Sequence, residues 1–219
     1  MLMQREREQV VCYARRMMER GLTRGTGGNI SIRRGDRVAI TSSGVEYAEM
    51  SAADVVVLAL DGTVVQGALR PSSESGMHLA CYRTRPDVRA VVHTHSTFAT
   101  VLACLHRPLP PVHYLIGYAG GTVPCIPYAP FGTEELAQAA AAALVERNAV
   151  LLGGHGLLSV GGDVAHAFSV AEETEFVAEL YWRTALLGGG ALLDDAQMAD
   201  VLARFGTYGQ RQCEGDRRA

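Results

Sequence analysis

The chain has 219 residues, 48% of them apolar, and a formal charge of −3. That length is enough to bury a sizeable core in one domain, and the near-neutral balance offers no clustered basic surface of the kind nucleic-acid phosphates require. All 20 basic residues are arginine, which excludes chemistry that needs a lysine amine: Schiff bases, pyridoxal-phosphate attachment and the phosphate-binding loop ending in GK[ST].

In chain order, residues 4–20 carry Val10, Val11, Ala14, Met17 and Met18 at helical spacing, with Gly21 placed to cap the C-terminus. The start, MLMQREREQVV, is charged and amphipathic and holds no apolar signal core. NISIRR and RVAITSS, either side of Gly35-Asp36, read as one hairpin; VVVLAL and TVV, either side of Asp61-Gly62, read as a second. SESGMHLACYRT reads as a short helix opening after Pro71-Ser72-Ser73, VRAVVHTHS as a buried strand, and STFATVLACL as the helix behind it. Another strand is expected near 123–127. Thr133 caps a strong helix with Glu134 and Glu135 in its first turn, where the helix dipole favours acids. AVLLGGHGLL reads as an apolar strand broken by glycines. Asp163 opens the longest helix, to about Leu187, and Asp194 or Asp195 the last, to about Phe205. The charged end QRQCEGDRRA reads as frayed.

Hairpins flanked by helices imply an α/β fold of α/β/α layers around a largely antiparallel central sheet, with residues 1–219 as one domain and a mobile tail from about 205. No apolar run reaches the roughly 18–20 residues of a membrane span. The five cysteines (Cys12, Cys81, Cys104, Cys125 and Cys213) are scattered, odd in number and lack a CxxC pair. They read as reduced thiols in a cytoplasmic protein.

His93-Thr94-His95 closes the strand VRAVV. Side chains two apart on a strand leave the same face, so both imidazoles can reach one ion. His155, between glycines in LLGGHGLL, is the third candidate. Zinc and similar borderline ions favour imidazole, and catalytic sites commonly use three protein ligands and an open position. An HxH alone describes equally well two polar residues at a strand end. His78 and His166 fall in helices, His106 near a helix end and His113 in a Pro-rich loop, which makes them weaker candidates.

Three segments suit an anion. Ser72 and Ser73 precede Glu74 and a helix N-terminus with free amides. In Gly25-Thr26-Gly27-Gly28-Asn29 the glycines allow close backbone approach, and Thr41-Ser42-Ser43-Gly44 offers further hydroxyls. Each alone reads as a capped turn; without lysine, a phosphate would be held by amides, hydroxyls, Asn or arginine.

Taken together, GTGGNIS, ITSSGV, PSSE, VVHTHS, VHYLIGYAGG, VPCIPYAPFGT, LLGGHGLL and FGTYG resemble the class II, zinc-dependent aldolases of the L-fuculose-1-phosphate aldolase group. That superfamily also holds ribulose-phosphate 4-epimerases, methylthioribulose-1-phosphate dehydratase and the adducin head. The matching segments span residues 25–209. The resemblance implies one zinc per subunit (or another divalent ion such as Co2+ or Mn2+) on His93, His95 and His155. Glu74 would be both a displaceable fourth ligand and the catalytic base. It implies a phosphate cradle of Gly28, Asn29, Ser43, Gly44, Ser72 and Ser73, beside Thr26 of the first glycine segment. Tyr114 matches a tyrosine that reaches the neighbouring subunit's site, and Phe205 and Tyr208 match an aromatic pair on the tail, in a homotetramer with sites at subunit interfaces.

The implied reaction is reversible cleavage of a ketose 1-phosphate to dihydroxyacetone phosphate and an aldehyde. L-fuculose 1-phosphate, a 5-deoxypentulose 1-phosphate and 5-methylthioribulose 1-phosphate (a methionine-salvage compound) share the cleaved bond. A glutamate after PSS follows the aldolase pattern, where the epimerases place aspartate, and a non-catalytic adducin-like module would lack the three histidines. Ser43 replaces the usual threonine, Gly154 stands where a histidine often precedes the ligand, and residues 117–121 depart from the common aldolase text. The glycine-flanked aromatics Phe205 and Tyr208 are expected to close over the aldehyde end of the substrate.

Overall fold

In the computed structural model, which describes residues 1–205, helix α1 spans Gln4–Glu19 and is followed by strands β1 (Asn29–Arg34), β2 (Arg37–Ile40), β3 (Val56–Ala59) and β4 (Val64–Gln66). Helix α2 (Ser75–Thr84), strand β5 (Ala90–Thr94) and helix α3 (Thr97–Cys104) come next. A 3-10 helix (Tyr114–Ala119), strand β6 (Cys125–Ile126), helix α4 (Glu134–Ala143), strands β7 (Ala149–Leu152) and β8 (Gly156–Gly161), and helices α5 (Val164–Leu186) and α6 (Asp195–Phe205) complete the order.

The eight strands form one sheet in the order β4-β3-β2-β1-β5-β8-β7-β6, antiparallel throughout except for the β6–β7 pair. The α/β class with a largely antiparallel sheet is therefore as expected. Strand alternation divides the interior in two. Ile30 and Ile32 of β1 and Ala90 and Val92 of β5 face α1, α3 and α5. Val38, Ile40, Val91 and Val160 face α2 and α4 instead. Asn29 and Ser31 on β1 and His93 on β5 alternate with the first of these sets, so they point to the α2 side. There they are buried polar groups in an otherwise apolar layer.

Local chemistry sets the helix ends. Gly21 lies at φ +69, its N–H bonds Met18 O, and Leu22 N–H bonds Met17 O, the paired closure of a Schellman motif. Thr133 and Asp163 cap α4 and α5 through Leu136 N and His166 N. For the last helix the cap is Asp194, which accepts from Gln197 N while Gln197 Oε1 accepts from Asp194 N.

Three expectations are corrected. AVLLGGHGLL is not one interrupted strand but the β7–β8 hairpin, with Gly153-Gly154-His155 as its turn. Helix α2 begins at Ser75, which leaves Glu74 as its N-cap residue with the side chain directed elsewhere. The stretch after the Pro-rich loop, read without an element, winds into the 3-10 helix, whose first N–H groups include Leu115 N bonded to His113 Nδ1.

Gly21 and Gly28 provide a matched pair, at φ +69 and +68. A Cβ at Gly21 would meet open space, whereas one at Gly28 would lie 2.6 Å from the His93 carbonyl oxygen. Gly21→Ala should cost about 1–2 kcal/mol for the left-handed backbone. Gly28→Ala should cost about 1–3 kcal/mol more for overpacking. Urea unfolding of both variants checks this; equal losses would contradict the close approach of β1 to β5.

Candidate active site

Strand β5 carries His93 into the α2 side of the sheet, where it is fully buried, and His95 follows two residues on. Their Nε2 atoms meet at 3.0 Å. The β7–β8 turn, closed by His155 N–H on Leu152 O, brings His155 Nε2 to 3.2 Å from His93 Nε2. Glu74, released from the α2 helix, places Oε2 3.3 Å from His93 Nε2 and Oε1 3.4 Å from His155 Nε2. The structure thus brings together all four residues expected to hold a metal.

The protons in this cluster can be assigned from the partners. His93 Nδ1 lies 2.9 Å from the Leu157 carbonyl, which only accepts, so the proton is on Nδ1 and Nε2 presents a lone pair. Burial above all, then the facing His95 and His155, holds the His93 imidazole well below the ordinary histidine range. Burial, followed by His155, lowers His95 in the same direction. His93 is therefore neutral, and its approach to Glu74 is not an ion pair. Glu74 Oε1 is buried and has no hydrogen-bond partner among the described residues.

A buried carboxylate oxygen next to three converging imidazole nitrogens is a donor set whose chemistry suits a cation. Ligands around a tetrahedral ion with bonds of about 2.0–2.1 Å lie about 3.3 Å apart, close to the four separations given above, and the three histidine ligand atoms all lie within 4.8 Å of one another. His93, His95 and His155 form a group that can hold a metal ion.

The anion segments surround the same end of the sheet. A bridge between Ser42 and Pro71 joins the segment after β2 to the one before α2, and Ser72 N–H bonds Thr41 O. Thr41 Oγ1 accepts from Ile30 N, tying in the start of β1. Thr26, Ser43, Gly44 and Ser73 are exposed, while Gly28, Asn29 and Ser72 are buried. Ser72 Oγ accepts from Glu74 N. Asn29 donates from Nδ2 to Glu74 Oε2 at 2.8 Å and accepts at Oδ1 from His78 Nε2, so only its second N–H remains for a ligand.

Tyr114 is half exposed, stacks against His113, and lines a pocket with Leu115, Tyr118 and Phe205 that contains none of the three histidines. Phe205 packs its ring 5.0 Å from that of Tyr118 and 6.3 Å from that of Tyr114. Tyr208 lies outside the described residues. Sequence reasoning left His78 without a role and passed over Ser31 and Tyr82. The available signal was Glu74-x3-His78-x3-Tyr82 at helical spacing, opposite Asn29-x-Ser31 at strand spacing.

Fold and side chains define an α/β/α protein with a candidate three-histidine metal centre backed by a buried carboxylate. The chain belongs to the class II aldolase and adducin N-terminal domain family, whose profile matches residues 8–182. It is 49% identical to the 5-deoxy-D-ribulose 1-phosphate aldolase of Bacillus thuringiensis serovar kurstaki, over 96% of this chain and 100% of that one. It is 42% identical to the 5-methylthioribulose-1-phosphate/5-deoxyribulose-1-phosphate aldolase of Rhodospirillum rubrum, over 93% of this chain and 92% of the relative. A solved L-fuculose 1-phosphate aldolase superposes with a TM-score of 0.90 at 41% identity, covering 92% of this chain and 96% of that one. Likeness of this extent makes the chain an aldolase, a carbon–carbon lyase of a class that is generally metal-dependent. Among the described residues, no helix is long and apolar enough to cross a membrane.

Unfolding returns His78, His93 and His95 to water, where each titrates near its ordinary value of about 6.5. Burial lowers all three in the folded chain, His78 to about 3. Below pH 6.5 the unfolded chain therefore binds more protons, and acid destabilises the fold. Metal-free protein should show a lower urea midpoint at pH 5 than at pH 7.5; an unchanged midpoint would contradict neutral buried imidazoles. His93→Ala should remove most bound metal at pH 7.5 by elemental analysis, whereas full occupancy would place the metal elsewhere.

Proposed function

We propose that this chain is a zinc-dependent aldolase that reversibly cleaves a ketose 1-phosphate to dihydroxyacetone phosphate and an aldehyde. The observation that carries this reading is the convergence of buried His93 and Glu74 with the more open His95 and His155, beside three hydroxyl- and amide-rich segments. The three imidazoles would hold the ion, with Glu74 as a displaceable fourth ligand. Bound there, zinc supplies a Lewis acid that lowers the cost of negative charge on the substrate oxygens beside it.

The rest of the chemistry belongs to side chains. With no lysine in the chain, the phosphate is held by neutral donors: the Ser43, Ser72 and Ser73 hydroxyls, the second Asn29 N–H, and the backbone of Thr26, Gly28 and Gly44. Glu74 moves the proton at the carbon next to the cleaved bond. Its Oε2 is held by Asn29, and Oε1, which has no hydrogen-bond partner among the described residues, is the atom poised for that transfer. Tyr114, presented by the adjacent subunit of a homotetramer, exchanges the proton on the aldehyde oxygen; its half-exposed ring, in a pocket whose lining includes none of the three histidines, supports a role across an interface. Phe205, packed against Tyr118 and near Tyr114, covers the aldehyde end with it and excludes water. The domain is taken to run the full 219 residues, in the cytoplasm.

The 49% identity to a 5-deoxy-D-ribulose 1-phosphate aldolase over the whole length of that relative favours a 5-deoxypentulose 1-phosphate, or its 5-methylthio counterpart, over L-fuculose 1-phosphate. Coupled assays of dihydroxyacetone phosphate release from these three ketose 1-phosphates should show the highest kcat/KM for the 5-deoxy or 5-methylthio compound. Release from none of them would overturn the reading. Glu74→Gln should lower proton exchange at the dihydroxyacetone phosphate carbon by about 10²–10⁴-fold. Tyr114→Phe should slow cleavage and leave that exchange near wild type, and equal losses in both assays would contradict the division of roles.

A further inference from the structure

Behind Glu74 a row of buried polar side chains runs between α2 and β1. His78 and Tyr82 follow the N-cap residue Glu74 at four-residue spacing along α2, and Asn29 and Ser31 face them from alternate positions of β1. Asn29 Nδ2 reaches Glu74 Oε2 at 2.8 Å, and His78 Nε2 lies 2.5 Å from Asn29 Oδ1. Ser31 Oγ lies 2.7 Å from both His78 Nδ1 and the Tyr82 hydroxyl. His78 and Ser31 are completely inaccessible to solvent and Tyr82 is nearly so.

Donor accounting gives this row one direction. The Glu74 carboxylate only accepts, so the Asn29 amide nitrogen faces it and Asn29 Oδ1 faces His78. His78 must then carry its proton on Nε2 and leave Nδ1 bare, Ser31 must donate to that nitrogen, and Tyr82 must donate to Ser31. Burial pushes the His78 imidazole down to about 3, so it is neutral and holds a single ring proton. Turning the Asn29 amide over would set its oxygen against the carboxylate and its N–H against the His78 N–H. A row that only filled space would serve as well with apolar side chains, as the neighbouring positions Ile40, Val56 and Val91 of the same layer do.

We propose that His78 is a positioning residue for the aldolase reaction, locking the Asn29 amide so that it holds Glu74 Oε2 and leaves Oε1 directed at the substrate carbon. Ser31 and Tyr82 set the His78 tautomer that makes this possible. The catalytic consequence rests on the ketose 1-phosphate reading above, while the hydrogen-bond relay itself does not.

Two measurements test it. In metal-free protein labelled with [15N]histidine, NMR should show His78 as the Nε2–H tautomer, converted to a mixture by Ser31→Ala. A His78 protonated on Nδ1 in the wild type, or a tautomer indifferent to Ser31→Ala, would overturn the relay. In the zinc-loaded enzyme, His78→Leu should lower proton exchange at the dihydroxyacetone phosphate carbon about 10–100-fold, the usual effect of losing a partner that orients a metal ligand, with KM unchanged. His78→Gln, whose amide N–H can reach Asn29 Oδ1, should regain most of that loss. Wild-type exchange in His78→Leu, or no recovery in His78→Gln, would overturn the positioning role. If His78→Leu does not fold, Ser31→Ala carries the test, with a smaller drop in kcat at constant KM expected and an unchanged kcat contradicting it. Should no ketose 1-phosphate be cleaved by the wild type, the functional reading fails, and the His78 tautomer still decides the relay.

Discussion

An imidazole nitrogen that turns its lone pair toward other acceptors calls for a cation, and here His93 Nε2 does so while facing two further imidazole nitrogens and a carboxylate. Much of the architecture near the site serves this arrangement. The carbonyl of Leu157, on the strand paired with β5, takes the His93 Nδ1 proton and so fixes which nitrogen faces inward. Gly28 lets β1 close against the His93 carbonyl, and the β7–β8 turn folds His155 back toward β5. Burial keeps His93 neutral, so no proton substitutes for the ion.

The segments around this centre are rich in neutral hydrogen-bonding groups. With no lysine in the chain, the segments next to Glu74 offer hydroxyls and a carboxamide to the phosphate site proposed above. Glu74 stands at the junction of the two halves of the site. One of its oxygens is tied to the polar row under α2, and the other is left without a donor beside the histidines. That division between a held and a free oxygen is the structural basis for assigning it the proton transfer.

Much of this was legible in the sequence, for identifiable reasons. His93 lies on β5 and His95 one residue past its end, and a period of two carried through that extended chain already predicts that they meet. Hairpin turns at Gly35-Asp36 and Asp61-Gly62 and the caps Thr133 and Asp163 are local signals that tertiary packing did not override. AVLLGGHGLL misled because an apolar run reads alike as one buried strand or two, and only the pairing of Leu152 with Gly156 separates them. The polar row was invisible for a different reason. His78 on a helix and Ser31 on a strand have no meaning until α2 lies across β1, a contact between residues 47 apart in sequence. Tyr114 poses the same difficulty one level higher, since the site proposed for it belongs to another copy of the chain.

The central claim is that His93, His95 and His155 together hold one catalytic divalent cation. X-ray absorption spectroscopy of the zinc-loaded protein measures this ligand set directly. The account predicts about three imidazole nitrogens at about 2.0–2.1 Å with the remaining coordination from oxygen. A first shell containing sulfur, or one with a single imidazole, would contradict it.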